Sequence, residues 1–225
     1  MTKHLATIQL DNGPDTTASV IWMHGLGASA SDFVPMSQQL DLRGLDSIRF
    51  IFPYAPVQRV TANNGYEMPS WYDFLHFGFD GDKDREDEST IRASQIQVAR
   101  LIDQEMARGI ASERIILAGF SQGCVMTLHT GLRYPHKLGG LMCLSGYLAL
   151  PDKLAAERSA ANMHTPIFMA HGRMDPMIPV QYGAKSRDFL TGLGHQIEWH
   201  DYNMEHSTCD EEAKDIGAWL RKVLA

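Results

Sequence analysis

Continuously apolar runs alternate with helical patterns along most of this chain. Short runs rich in β-branched residues predict buried strands over residues 19–24, 48–52, 114–119, 139–144, 167–171 and 196–202, with an additional strand near 6–10. Apolar residues spaced three to four apart predict helices over 32–42, 89–108, 121–134, 182–191 and 210–224. This alternation predicts an α/β fold: a mostly parallel central sheet with helices on both faces, in a single domain over residues 1–225 with no large lid domain.

The segment 53–88 interrupts this alternation. It is long for a loop inside a domain, and such loops are often functional. Its many aromatic residues predict an ordered wall of a binding site. Its acidic end, residues 80–88, is interpreted as a solvated loop whose last carboxylates favour the start of the next helix.

Composition narrows the class of protein. The 225 residues are 44% hydrophobic, enough for one well-packed core, and the net charge of −7 argues against nucleic acid or an anionic membrane as partner. Three cysteines without CxxC spacing indicate neither a disulfide framework nor a zinc site. No apolar run reaches the length of a signal peptide or a membrane span. We therefore expect a cytoplasmic protein without metal, cofactor or membrane insertion.

A Gly-x-Ser-x-Gly sequence marks the end of one predicted strand. Ser121 lies between Gly119 and Gly123, directly after the apolar run and directly before a helical pattern. This context is typical of a nucleophile elbow, in which a strained turn exposes a serine hydroxyl above the sheet. The glycines remove the Cβ atoms that would collide where strand and helix meet. Ser121 is therefore the predicted nucleophile.

A serine nucleophile needs a histidine base and a carboxylate that orients it, in the chain order serine, acid, histidine for an elbow of this type. Asp175 follows a predicted strand directly, whereas Asp152 lacks a clear preceding strand and Asp201 lies within one. Of three later histidines, His206 alone follows the last strand; His195 precedes it, and His200 lies on its face. The predicted triad is Ser121, Asp175 and His206.

Two backbone N–H groups should hold the oxyanion of the reaction intermediate. One is predicted at Gln122, the residue after the nucleophile. The other is predicted at Leu26, because the glycines on either side of it let the backbone turn an N–H toward the site.

Five ordered motifs carry a resemblance that covers nearly the whole chain. They are His24-Gly25-Leu26-Gly27, Met68 to Asp73, Gly119 to Gly123, His171-Gly172-x-x-Asp175-Pro176 and Met204-x-His206-Ser207. Together they resemble the phospholipase/carboxylesterase family of small α/β-hydrolases, which includes bacterial carboxylesterases and acyl-protein thioesterases. The resemblance implies a cofactor-independent serine hydrolase with the triad and oxyanion donors named above. It also implies an acyl groove lined by Leu26, Phe74, Leu75, Tyr147, Met177 and Ile178.

Trp71 and Asp73 belong to one of these motifs and are interpreted as supports of the loop beside the site. The chain departs from common family patterns at Cys124, interpreted as a small buried residue, at Asn203 and at Glu205. Glu205 is hypothesised to raise the pKa of His206 if the two side chains lie close.

The expected reaction is hydrolysis of carboxylic esters with short to medium acyl chains, through an acyl-enzyme. Two alternatives remain: an acyl-protein thioesterase that removes long-chain acyl groups from cysteine, and a non-catalytic binding protein on the same fold. The expected partner is a small ester or acyl substrate, and exposed aromatic residues near the groove are compatible with a homodimer.

Overall fold

A seven-stranded sheet forms the centre of the computed structural model, which describes residues 4–78 and 85–225. The sheet strands are β1 (Thr7–Asp11), β2 (Ala18–Met23), β3 (Ile48–Pro53), β6 (Ile115–Phe120), β7 (Gly140–Leu144), β8 (Ile167–Gly172) and β9 (Ile197–Tyr202). Their order is β1-β3-β2-β6-β7-β8-β9, and every neighbouring pair is parallel except β1 with β3. The predicted mostly parallel sheet is confirmed, and its parallel strands end at one edge.

Helices cover both faces of this sheet. On one face lie α2 (Glu88–Ala107), α3 (Gln122–Gly131), α4 (Pro151–Glu157) and α5 (Val180–Gly192); on the other lie α1 (Val34–Gln39) and α6 (Asp210–Val223). Alternate residues of a strand point to opposite faces. In β2, Ile21 and Met23 therefore pack in the first core, and Val20 and Trp22 in the second. Two apolar cores result, one on each side of the sheet.

The predicted strands agree with the observed ones to within about a residue, but some helix bounds differ. The helix predicted over 32–42 is shorter in the structure, where α1 begins at Val34 and ends at Gln39. The residues before it form turns, in which the Asp32 N–H donates to the Ser29 carbonyl. Pro35 lies in the first turn of α1, where its missing N–H does no harm. The hairpin of β4 (Val57–Val60) and β5 (Tyr66–Pro69) and the short helix α4 were not predicted.

The acidic segment is only partly described, since residues 80–84 of the predicted solvated loop lie outside the described residues. Asp87 caps α2, with its Oδ1 accepting from Ser89 N–H at 2.9 Å, which confirms the expected role of the last carboxylates. The prediction of a solvated loop is wrong at Glu86, whose side chain is largely buried and accepts a hydrogen bond from Tyr147.

Candidate active site

The turn at Ser121 has the geometry of a nucleophile elbow. Ser121 connects β6 to α3 with φ 55° and ψ −117°, a conformation that a residue with a side chain adopts rarely. A Cβ at Gly119 would lie 2.1 Å from the Gly123 carbonyl oxygen, and a Cβ at Gly123 would lie 2.3 Å from the Met23 carbonyl oxygen. Both glycines are therefore required by close backbone approach, as the sequence pattern predicts.

Asp175 and His206 meet at the edge of the sheet where the parallel strands end. His206 Nδ1 lies 2.6 Å from Asp175 Oδ2, and the Asp175 side chain is buried. The other carboxylate oxygen accepts from the N–H groups of Met177, at 2.9 Å, and Ile178, at 2.8 Å. A proton on Nδ1 of a neutral imidazole leaves Nε2 as a proton acceptor. This is the orientation that a general base requires.

Asp175 is held in its ionised form despite its burial. Burial raises the pKa of this carboxyl, but the neighbouring His171 N–H and hydrogen bonds from His206 and the Ile178 N–H outweigh burial and lower its pKa well below the usual range. A carboxylate that stays charged can orient His206 and stabilise its protonated form.

Ser121 and His206 both line one cavity of about 520 Å³. Phe120, next to Ser121, lies against the imidazole with a distance of 4.7 Å between the ring centroids. The rest of the lining is mainly apolar, with Leu26, Phe33, Met36, Phe74, Phe77, Met177 and Ile178 among its members. The volume lies within the range of about 300–1,000 Å³ typical of small-molecule sites. Ser121 and His206 therefore face one mainly apolar cavity, and Asp175 is joined to it through its hydrogen bond with His206.

The two predicted oxyanion donors lie next to this cavity. Leu26 lines it, and Gln122 is the first residue of α3, directly after Ser121. Within residues 4–78 and 85–225, neither N–H donates to a backbone acceptor. A helix N-terminus leaves such N–H groups free to hold a negatively charged oxygen. The backbone is thus compatible with the predicted role of both groups.

The Gln122 side chain has a second role, which the sequence pattern did not reveal. Its Oε1 accepts from Trp71 N–H at 2.7 Å, and its Nε2 donates to the Tyr72 carbonyl at 2.7 Å and to Ser70 Oγ at 3.0 Å. Trp71 Nε1 in turn donates to the carbonyl of His24 at 2.8 Å. The elbow is therefore tied to the loop beside it and to the turn that carries Leu26.

Asp73 supports the same loop, as predicted: its two oxygens accept from the N–H and hydroxyl of Thr61, both at 2.6 Å. Cys124 is fully buried, which agrees with the interpretation of a small packing residue. Glu205 is exposed, and among the described contacts no ion pair joins it to His206.

Four of the six predicted groove residues line the cavity: Leu26, Phe74, Met177 and Ile178. Leu75 does not, and it is 40% exposed. Phe74 and Leu75 lie in an extended segment paired with Arg85 and Glu86, so their side chains point to opposite sides. The prediction for Leu75 is therefore corrected.

Tyr147 also lies outside the lining of this cavity. Its hydroxyl donates to Glu86 and lies 3.3 Å from the Tyr72 hydroxyl. It lines a separate cavity of about 260 Å³ with Tyr182 and Lys185. Phe33, Met36, Phe77 and Phe120 line the main cavity and were missed, although Phe120 is the variable residue of the elbow itself.

The competing acids and histidines lie outside the Asp175–His206 pair. Asp201 accepts from Arg173, and Asp152 lies in the first turn of α4. His200 Nδ1 lies 3.3 Å from an Asp215 oxygen, and His195 is buried before β9. These positions agree with excluding all four from the triad.

The sheet, the elbow and the order of the catalytic candidates define an α/β-hydrolase. The sequence profile of the family described as Phospholipase/Carboxylesterase matches residues 5–224, and the chain therefore belongs to that family.

Several relatives carry a more specific name. Acyl-protein thioesterase 1 of Gibberella zeae is 40% identical over 214 residues, which cover 92% of this chain and 91% of the relative. Acyl-protein thioesterase 1 of Yarrowia lipolytica is 38% identical over 210 residues, covering 92% of each. Among solved structures, SOBER1 of Arabidopsis thaliana matches with a TM-score of 0.86 and 33% identity, over 92% of this chain and 99% of that one.

Residues 4–78 and 85–225 contain no helix with the length and apolar character needed to cross a membrane. The same residues contain no group of three or more His, Cys, Asp or Glu side chains arranged to hold a metal ion.

Proposed function

We propose that this chain is a serine hydrolase that removes fatty acyl groups from cysteine thioesters of proteins, through an acyl-enzyme on Ser121. The observation that carries the proposal is the buried Asp175–His206 hydrogen bond at the apolar cavity that Ser121 lines. The names of the relatives favour the thioester over the carboxylic ester with a short to medium acyl chain that the sequence alone suggested.

In the proposed first step, His206 Nε2 takes the Ser121 proton while Oγ attacks the acyl carbonyl. The oxyanion is held by the Leu26 and Gln122 N–H groups, and loss of one such donor costs about 3–4 kcal/mol of barrier. His206 then gives its proton to the leaving sulfur or oxygen. Water attacks the acyl-enzyme by the same route and releases the fatty acid.

The lining of the cavity supports a long acyl chain. Phe33, Met36, Phe74 and Phe77 offer aromatic and thioether surface next to Ser121, and burying apolar chain against such surface is favourable by about 25 cal/mol per Å². A thioester and an oxyester present the same acyl carbonyl to Ser121. The proposed site therefore accepts both, and the preference depends on the leaving group and the chain.

The test compares two peptides of one sequence, one with palmitoyl on a cysteine and one with palmitoyl on a serine, alongside p-nitrophenyl esters from acetyl to palmitoyl. We expect the highest kcat/KM for the thioester peptide and for the longer acyl chains. Ser121→Ala should abolish turnover of every substrate while the protein stays folded. Efficient turnover of short esters with no turnover of the thioester peptide would instead support a carboxylesterase. Absence of all turnover and of fluorophosphonate labelling would support a binding protein.

A further inference from the structure

His171 lies next to the proposed triad, but the reaction described above gives it no role. It is in β8, four residues before Asp175, and it is 1% exposed. Its Nε2 lies 2.7 Å from the Ile178 carbonyl oxygen and 3.4 Å from Asp175 Oδ2. A carbonyl oxygen can only accept, so Nε2 must carry a hydrogen. That hydrogen bonds to the Ile178 carbonyl, and the second acceptor lies within ion-pair distance of the same nitrogen.

The second acceptor is the oxygen that orients His206. Asp175 Oδ2 accepts from His206 Nδ1 at 2.6 Å, while Oδ1 accepts from the Met177 and Ile178 N–H groups. His171 thus contacts both ends of the turn from Asp175 to Ile178. One end of this turn is the carboxylate, and the other is the cavity wall formed by Met177 and Ile178.

The imidazole of His171 is itself held in place by α5 and β9. The Trp199 ring stacks on it, with 6.4 Å between centroids and 22° between planes. A Cβ at Gly183 would lie 2.6 Å from His171 Nδ1 and 3.2 Å from Trp199 Cη2. Gly183 in α5 is therefore the residue that leaves room for the ring in this orientation.

We propose that His171 is a positioning residue: its Nε2–H holds the Ile178 carbonyl at one end of the turn, and its ring lies beside the Asp175 carboxylate at the other, so that His206 is aligned with Ser121. The inference rests on the proposed function, since it assigns His171 a task in activating Ser121. Gly183 contributes by admitting the imidazole. The hydrogen bond to the buried Ile178 carbonyl is the contact whose loss should matter most.

The test measures the rate at which a small alkyl fluorophosphonate labels Ser121. In this reaction Ser121 Oγ forms the bond to phosphorus, fluoride leaves, and His206 takes the hydroxyl proton. The rate therefore reports activation of the serine without contributions from acyl-chain binding. Thermal unfolding of each variant is measured in parallel, together with kcat and KM for a short p-nitrophenyl ester.

We expect His171→Leu to slow labelling by about tenfold, the scale for leaving one buried carbonyl without its hydrogen bond. The decrease should appear in kcat for the short ester, with KM nearly unchanged. His171→Gln keeps an N–H near the position of Nε2 and should recover most of the rate. A purely structural role predicts lower thermal stability in both variants without this difference between them.

Gly183→Ala provides an independent variant, because its new methyl group displaces the ring without changing it. It should slow labelling, whereas Gly192→Ala in the same helix should not, since a Cβ there has no neighbour within 4 Å among the described residues. In the double variant, Gly183→Ala should add nothing to His171→Leu, as expected for two changes acting through one contact.

Two results would overturn the inference: a folded His171→Leu protein labelled within twofold of the unsubstituted rate, or Gly183→Ala labelled as fast as Gly192→Ala. If His171→Leu does not fold, the Gly183→Ala and His171→Gln comparisons decide. A wild-type protein that is not labelled at Ser121 would instead refute the proposed function, and this inference with it.

Discussion

Replacing the side chain of Gln122 tests its role separately from the role of the backbone N–H of the same residue. Gln122→Ala keeps the N–H that is proposed to hold the oxyanion, but removes the amide that joins α3 to the loop at Trp71 and Tyr72. The Trp71 N–H is buried and has no second acceptor among its described contacts. The Tyr72 carbonyl keeps one donor, the Ser70 hydroxyl at 2.6 Å. Ser70 Oγ also loses its donor but keeps its bond to the Tyr72 carbonyl, so the main costs are the orphaned Trp71 N–H and the weakened bonding of the Tyr72 carbonyl.

The magnitude follows from these two contacts. An orphaned buried N–H costs about 1–3 kcal/mol, and a lost hydrogen bond at a carbonyl that stays partnered costs about 0.5–1.5 kcal/mol. The sum is about 3 kcal/mol of unfolding free energy. In a chain of this size each kcal/mol lowers Tm by about 2–4 °C, so we expect a decrease of about 6–12 °C.

Thermal and urea unfolding measure this change, with Gln181→Ala as the matched control because Gln181 is exposed on α5. The control should unfold within about 1–2 °C of the unsubstituted protein, as surface substitutions usually do. If Gln122→Ala unfolds at the same temperature as the control, the amide does not hold the loop, and the argument from buried hydrogen bonds is wrong.

Three further predictions follow from individual side chains. Asp175→Asn should lower kcat by about 10⁴-fold with little loss of fold, as measured by steady-state kinetics and circular dichroism. The carboxylate accepts from His206 on one oxygen and from two N–H groups on the other, whereas the NH₂ group of an amide would face one of these donors and repel it. Burial raises the pKa of Glu212 to about 8; the Cys209 N–H opposes this rise and the charge of Asp215 adds to it. Between about pH 4.5 and 8 the folded protein therefore holds a proton on Glu212 that the unfolded chain has released. Unfolding free energy should therefore fall by roughly 1.4 kcal/mol per pH unit between about pH 4.5 and 8, and urea titrations should show that Glu212→Gln removes this slope. Phe74→Ala should raise KM for long-chain esters several-fold while Leu75→Ala leaves it unchanged, since only Phe74 lines the cavity; equal effects in chain-length kinetics would contradict the assigned lining.

The strands, the elbow turn at Ser121 and the pairing of Asp175 with His206 were predictable because their signals are local. Buried parallel strands appear as continuous apolar runs, and the elbow glycines at 119 and 123 are forced by contacts within a few residues or with the adjacent strand. Asp175 and His206 each follow a strand end, and strand ends of a parallel sheet meet at one edge. Chain order and the sheet rule were enough to bring these residues together.

The cavity lining and the supporting contacts were not predictable in this way. Whether Phe74 or Leu75 faces the cavity depends on the register of one short extended pair, which nothing local determines. The contacts of Gln122 with Ser70, Trp71 and Tyr72 join residues about fifty positions apart. The proposed role of His171 was not predictable either, because it depends on the space that Gly183 leaves in a neighbouring helix.

The central claim is that Ser121 is a nucleophile activated by His206 and Asp175. The most direct measurement is mass spectrometry of the intact protein and its peptides after brief exposure to a palmitoyl thioester and rapid acid quenching. The account predicts a palmitoyl group on the peptide that contains Ser121, accumulating in His206→Ala far more slowly than in the unsubstituted protein and absent from Ser121→Ala. An acyl group found on another residue, or hydrolysis that continues in Ser121→Ala, would contradict it.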